Sequence, residues 1–179
     1  MESDSRARAW HIAGHAWLAV RCGFRVERLS LDGFTEADRD AAHASAQRLD
    51  EWTMLRMPEG PLPPGTFEHT RFMQDLCHIA LAGPISELLY LRQTSTVSRV
   101  EQYEHDWKQA WKAARWMFRD ESARRWWLGH TIQQGHTYIG LEFASYFMAP
   151  LVEQLLEQRS LNTDEVHFHS DRLQENAAA

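Results

Sequence analysis

The sequence predicts a mainly α domain of the α+β class, with helices carrying one small antiparallel sheet. Three observations lead to this. Apolar residues recur at helical spacing over several long stretches. Only Phe24–Leu31 and Trp52–Met57 read as strands, enough for a small sheet and no more. No stretch repeats at a fixed period, which excludes solenoids and arrays. At 179 residues with 44 % apolar content, the chain suits one domain over 1–179 with a sizeable core.

Taken in order, Ser3 or Ser5 caps a first helix running to about Cys22, with residues 1–5 frayed. One stripe of that helix reads Ala7, His11, Gly14, His15, Leu18, Cys22, and a neighbouring one Trp10, Ala13, Trp17, Val20. Gly23 is its C-cap. Phe24 to Leu31 alternates in the strand manner, and Asp32-Gly33 is a turn. Thr35 to Leu49 is Ala-rich and charged and reads as a surface helix. Trp52–Met57 is the second strand, followed by the Pro/Gly-rich loop 58–65.

Thr66 caps a long helix with the stripe Phe72, Leu76, Ile79, Ala80, Gly83, Glu87, Tyr90, which Pro84 kinks or restarts. Ser98 opens another helix to about Arg119. Its stripe of Tyr103, Asp106, Trp107, Ala110, Trp111, Ala114, Met117 and Phe118 is apolar or aromatic except at Asp106. From Ser122 to Arg159 the pattern is helical, with breaks at Gly129, Gly135 or Pro150. Leu155–Leu161 is the last unit, Thr163 caps a short final helix, and residues 174–179 fray.

A formal charge of −6 argues against a nucleic-acid partner. Cys22 and Cys77 are too few for a disulfide framework and read as buried free thiols of a reducing compartment. The polar start Met-Glu-Ser-Asp-Ser-Arg is no signal peptide, and no apolar run approaches the roughly 18 residues of a membrane span. These features predict a cytoplasmic protein that does not embed in a membrane.

The chemistry concentrates in Trp10-His11-Ile12-Ala13-Gly14-His15-Ala16. Two histidines four apart lie one helical turn apart on one face, the spacing by which two imidazoles share a zinc ion. Core histidines satisfied by hydrogen bonds produce the same pattern. Three features favour metal. Gly14 allows another segment to approach closely. Asp106 is a lone acid on a packing face, where an unpaired carboxylate costs several kcal/mol. Glu87 is another. Zinc accounts for these residues together, with His11, His15 and Asp106 as ligands, a fourth position open to water, and Glu87 orienting a ligand histidine.

The series of motifs resembles the peptidase domain of the FtsH family, the membrane-bound AAA zinc proteases. The family's His-Glu-Ala-Gly-His-Ala is His11-Ile12-Ala13-Gly14-His15-Ala16 here, and its Tyr-Thr-x-x-x-Pro is Trp52-Thr53-Met54-Leu55-Arg56-Met57-Pro58. Its Leu-Gly-Gly-Arg-x-Ala-Glu-Glu is Leu81-Ala82-Gly83-Pro84-Ile85-Ser86-Glu87-Leu88, and its third-ligand segment is similar to His105-Asp106-Trp107 through Arg115. Its last motif is similar to Leu155-Leu156-Glu157 through Val166. The resemblance implies a helical, zincin-like fold and assigns His11, His15 and Asp106 to zinc.

The departures define the functional expectation. Ile12 stands where the family has the general-base Glu, Pro84 replaces its Arg, and Leu88 its second Glu. The Thr-Thr-Gly before the third ligand is missing. Residues 34–49 read as an insertion, and no Walker-type loop marks an ATPase. A general base typically contributes about 10²–10⁴-fold, so its loss implies severe impairment, and Ile12→Glu should restore the missing role. The leading expectation is a zinc-binding, degenerate peptidase-like domain acting through a protein or peptide partner, with a homo-oligomer left open. One alternative is an active zinc hydrolase with its base relocated to Glu87, Glu101 or Glu104. The other is a metal-free helical interaction module.

Overall fold

The computed structural model describes residues 2–40, 42, 44–57, 62–142 and 148–167. The tail 174–179 and residues 58–61, half of the Pro-rich loop, lie outside the described residues. The chain is mainly helical with one four-stranded antiparallel sheet. Helix α1 spans Glu2–Arg21, so it starts ahead of Ser3 and Ser5 instead of being capped by them. It ends as expected. Gly23 takes the left-handed conformation (φ 82°), and the Gly23 and Phe24 amides bond back to the Val20 and Ala19 carbonyls. This is the Schellman arrangement that glycine favours.

The two expected strands, β1 (Arg25–Ser30) and β3 (Thr53–Arg56), pair antiparallel at the sheet centre, with Leu29 opposite Thr53. The flanking strands were not legible in the sequence. In place of a helix over Thr35–Leu49, a short α2 (Glu36–Asp40) starts at a Thr35–Asp38 cap, and β2 (Ala46–Arg48) pairs with β3. Strand pairing overrides alanine's helix preference there. At the other edge lies β4 (Ser160–Asn162), just past Arg159, where the helical stretch was expected to end. Arg159, at φ 68°, ends the preceding helix without a glycine, and buried Leu161 pairs with Leu29. The last helical turn among the described residues, over 163–167, is capped by Asn162 rather than Thr163. The Asn162 Oδ1 accepts from the Asp164 and Glu165 amides, while the Glu165 carboxylate accepts from the Asn162 amide. This reciprocal cap fixes β4, so Asn162→Ala should cost about 1 kcal/mol, read as a shift in the urea midpoint at unchanged slope.

Helix α3 (Phe67–Tyr90) is capped by Thr66, whose side chain accepts from the His69 amide, and runs through Pro84 without interruption. It packs against α1, and on its other sides against α5 (Glu104–Met117) and α6 (Glu121–Glu142). The helix expected from Ser98 to Arg119 is in fact two, α4 (Val97–Val100) and α5, with Tyr103 between them as the N-cap of α5. Helix α6 passes unbroken through Gly129 and Gly135, and α7 (Met148–Gln158), which contains Pro150, lies on α1. Burial of one face of α6, through Leu128, Ile132 and Ile139, offsets what the glycines cost locally. The core lies where α1 and α3 cross beneath the sheet, and Ile12, Ile79, Ile85, Leu29 and Leu55 are fully or almost fully buried in it. Among the described residues, no helix is long and apolar enough to cross a membrane.

Candidate metal centre

The α1–α3 crossing positions the histidines. A Cβ at Gly14 would sit 2.3 Å from the Ser86 Oγ and 2.6 Å from the Ala82 carbonyl oxygen. One at Gly83 would sit 2.2 Å from the His15 Nε2. Glycine on both helices thus permits an approach no other residue allows. Ile79, Ala82, Gly83, Ser86 and Glu87 of α3, which lie on one helical stripe, meet α1.

Each imidazole is anchored through Nδ1. His15 donates to the Ile79 carbonyl oxygen at 2.7 Å. His11 donates to the Glu87 carboxylate at 3.0 Å. With Nδ1–H committed, the two Nε2 atoms face each other at 3.0 Å, and each offers a lone pair once its proton is removed. Trp52 and Tyr103 pack their rings against His11. Burial first and the neighbouring Glu87 second push the Tyr103 hydroxyl above its ordinary value, so it stays neutral.

Asp106, in the first turn of α5, brings Oδ2 to 3.2 Å from the His11 Nε2 and Oδ1 to 3.4 Å from the His15 Nε2. The structure therefore gathers His11, His15, Asp106 and Glu87 in one place. It adds a residue that sequence reasoning missed. Asp50, in the turn before β3, places Oδ2 3.3 Å from the His15 Nε2 and 3.6 Å from the His11 Nε2. The available signal was an Asp two residues ahead of a strand, the position of an Asx turn. Its Oδ1 does accept from the Trp52 and Thr53 amides.

The His11, His15, Asp50 and Asp106 donors lie within 4.8 Å of one another, and all four residues are buried. The Asp50 Oδ2 and the Asp106 Oδ1 are sealed from solvent with no hydrogen-bond partner. Burial opposes charge on the imidazoles, yet the carboxylates of Asp106 and then Asp50 prevail. They raise His11 well above its ordinary value and His15 to about 9. Burial also opposes charge on the acids, but the imidazoles hold Asp50 and Asp106 below the usual carboxylate range. Without an ion the four groups therefore pair as imidazoliums and carboxylates, and an ion that displaced the two protons would meet two lone pairs and negative charge at one buried point. The group can hold a metal ion, and its orphaned oxygens fit one.

The other acids considered as a base face elsewhere. Glu101 pairs with Arg125 and Glu104 with Lys108. Ile12 is wholly buried in the apolar core. Neither cysteine belongs to the group. Cys77 is buried, Cys22 only half-buried, and burial, helped by Asp75 at Cys22, raises both thiols, Cys22 to about 12. No protein-family model and no curated protein matches the chain.

Proposed function

We propose that the chain is a degenerate zinc-peptidase domain of the FtsH type, which holds zinc and works by binding a protein or peptide rather than cutting it. One observation carries this reading: two imidazoles with Nδ1 tied off aim Nε2 at a point shared with buried, unpartnered carboxylate oxygens. One doubly charged ion suits that focus better than protons on two nitrogens 3.0 Å apart. Imidazole and carboxylate donors are those zinc accepts.

In this reading Ile79 and Glu87 fix the tautomers and orientation of His15 and His11, and Asp106 brings α5 to the site. Zinc, when bound, supplies a concentrated positive charge. Ile12 supplies no proton acceptor, Glu87 is engaged by His11, and Glu101 and Glu104 are engaged by Arg125 and Lys108, so none of these positions offers a base for an attacking water. A cleft of about 430 Å³ beside edge strand β2, lined by Gln47, Leu49, Phe72, Met73 and exposed Trp116, supports a peptide-binding role.

The test is metal analysis of tag-free protein with an unfolded-protein cleavage assay on the same sample. The expected result is close to one zinc per chain and no cleavage. Burial also changes the expectation for Ile12→Glu. A carboxylate in this core costs several kcal/mol, so the variant should lose stability in a thermal melt and gain no activity. Chelator-sensitive cleavage by the natural chain would establish the relocated-base hydrolase instead. Metal-free protein that takes up no zinc would leave the histidines as charged partners of Asp50 and Asp106, the interaction-module reading.

A further inference from the structure

We infer that Asp50 is a fourth protein ligand, which closes the coordination sphere and makes the metal a structural clamp between sheet and helices. This rests on the metal reading above and adds to it a ligand that neither the histidine spacing nor the FtsH resemblance supplies. The carboxylate is split between two tasks. Its Oδ1 is held by the Trp52 and Thr53 amides, and its Oδ2, in a residue 1 % exposed, has no hydrogen-bond partner and points at both Nε2 atoms. Two amides suffice to satisfy a turn-capping Asp. A second buried carboxylate beside Asp106 requires compensating positive charge, and an ion bound to all four groups supplies it at one point.

The distances discriminate between a ligand and a base. Donors on one tetrahedral zinc ion with 2.0–2.1 Å bonds are separated by about 3.3–3.4 Å. Asp50 Oδ2 lies 3.3 and 3.6 Å from the two histidine nitrogens, and Asp106 lies 3.2 and 3.4 Å from them. Asp50 therefore stands in the same shell as Asp106, rather than outside it, where a base would meet an incoming water. Full burial of His11 and His15 agrees with this, since sites with four protein ligands are structural and catalytic ones keep a position open. The donors come from α1, α5 and the turn leading into β3, so the ion would pin the sheet against the helical layer.

The test loads the full chain with Co²⁺, whose visible spectrum reports coordination number, and adds azide as a probe for an open position. The expected wild-type spectrum is the intense one of a four-coordinate ion, unmoved by azide. Asp50→Asn keeps an Oδ1 for the turn but removes the anionic donor. It should weaken Co²⁺ binding by more than about 100-fold, beyond the effect of losing an outer-shell partner, and make the spectrum azide-sensitive. Asp50→Cys is the second variant. A thiolate at this position should give a sulfur-to-cobalt charge-transfer band in the near ultraviolet, which requires direct ligation. An azide-sensitive wild-type spectrum, or Asp50→Cys that binds Co²⁺ without that band, overturns the fourth ligand and leaves the three-ligand reading standing. Wild type that takes up no Co²⁺ or Zn²⁺ overturns the metal reading itself.

Discussion

Stripping zinc from the loaded protein should lower its melting temperature by about 8–16 °C. Free zinc at about a thousandfold excess over its dissociation constant stabilises the folded state by about 4 kcal/mol, and each kcal/mol shifts a domain of this size by about 2–4 °C. The pH dependence of the effect has a definite sign. In metal-free protein the carboxylates raise His11 and His15, the latter from 6.5 to about 9. That contribution to stability is complete below the unfolded value and is lost as pH rises toward 9. Zinc requires neutral imidazoles, so its affinity grows over the same interval. The gap between loaded and chelated protein should therefore widen from pH 6.5 to 9. His11→Ala should abolish the gap. Differential scanning calorimetry across that range, with and without chelator, measures both slopes, and a gap that narrows as pH rises would contradict the account.

Much of this site was legible without coordinates because helical periodicity is a local property. The stripe Ala7, His11, Gly14, His15 on α1 and the stripe Ile79, Gly83, Glu87 on α3 are the faces that meet. Asp106 stood out as the one acid on an otherwise apolar face. Asp50 did not, because it lies in a turn, where no periodicity marks an inward side chain, and because the Ala-rich run before it imitates a helix. β2 and β4 were hidden for a related reason. Three-residue strands carry almost no alternation and form only because β3 and β1 offer edges to pair with. The helix breaks expected at Gly129 and Gly135 reflect the opposite error. Intrinsic cost was given too much weight against packing, and α6 is held by its contacts with α3 and α5.

Gly83→Ala should destroy the metal centre while leaving every donor in place. The added methyl would lie 2.2 Å from the His15 Nε2, 2.5 Å from Cε1 and 2.6 Å from Cδ2. The ring has nowhere to retreat, since Nδ1 is anchored on the Ile79 carbonyl of the same helix and the His11 Nε2 stands 3.0 Å beyond. Relief requires α1 and α3 to separate, and that separates their buried faces and draws His11 from Glu87. Overpacking of this kind typically costs 1–3 kcal/mol, and loss of the ion adds to it. Against this stands alanine's better helix propensity, worth up to about 1 kcal/mol. The net expectation is a loss of at least about 3 kcal/mol in zinc-loaded protein, with zinc content falling toward zero. Gly140→Ala on α6 is the control, because its methyl would find its nearest neighbour, Leu89 Cδ2, at 4.0 Å. There the propensity gain should appear unopposed, and stability should hold or rise. Urea melts and zinc content for both variants decide the matter. A Gly83→Ala protein that keeps its zinc and its midpoint would mean that the close α1–α3 crossing does not hold the site together.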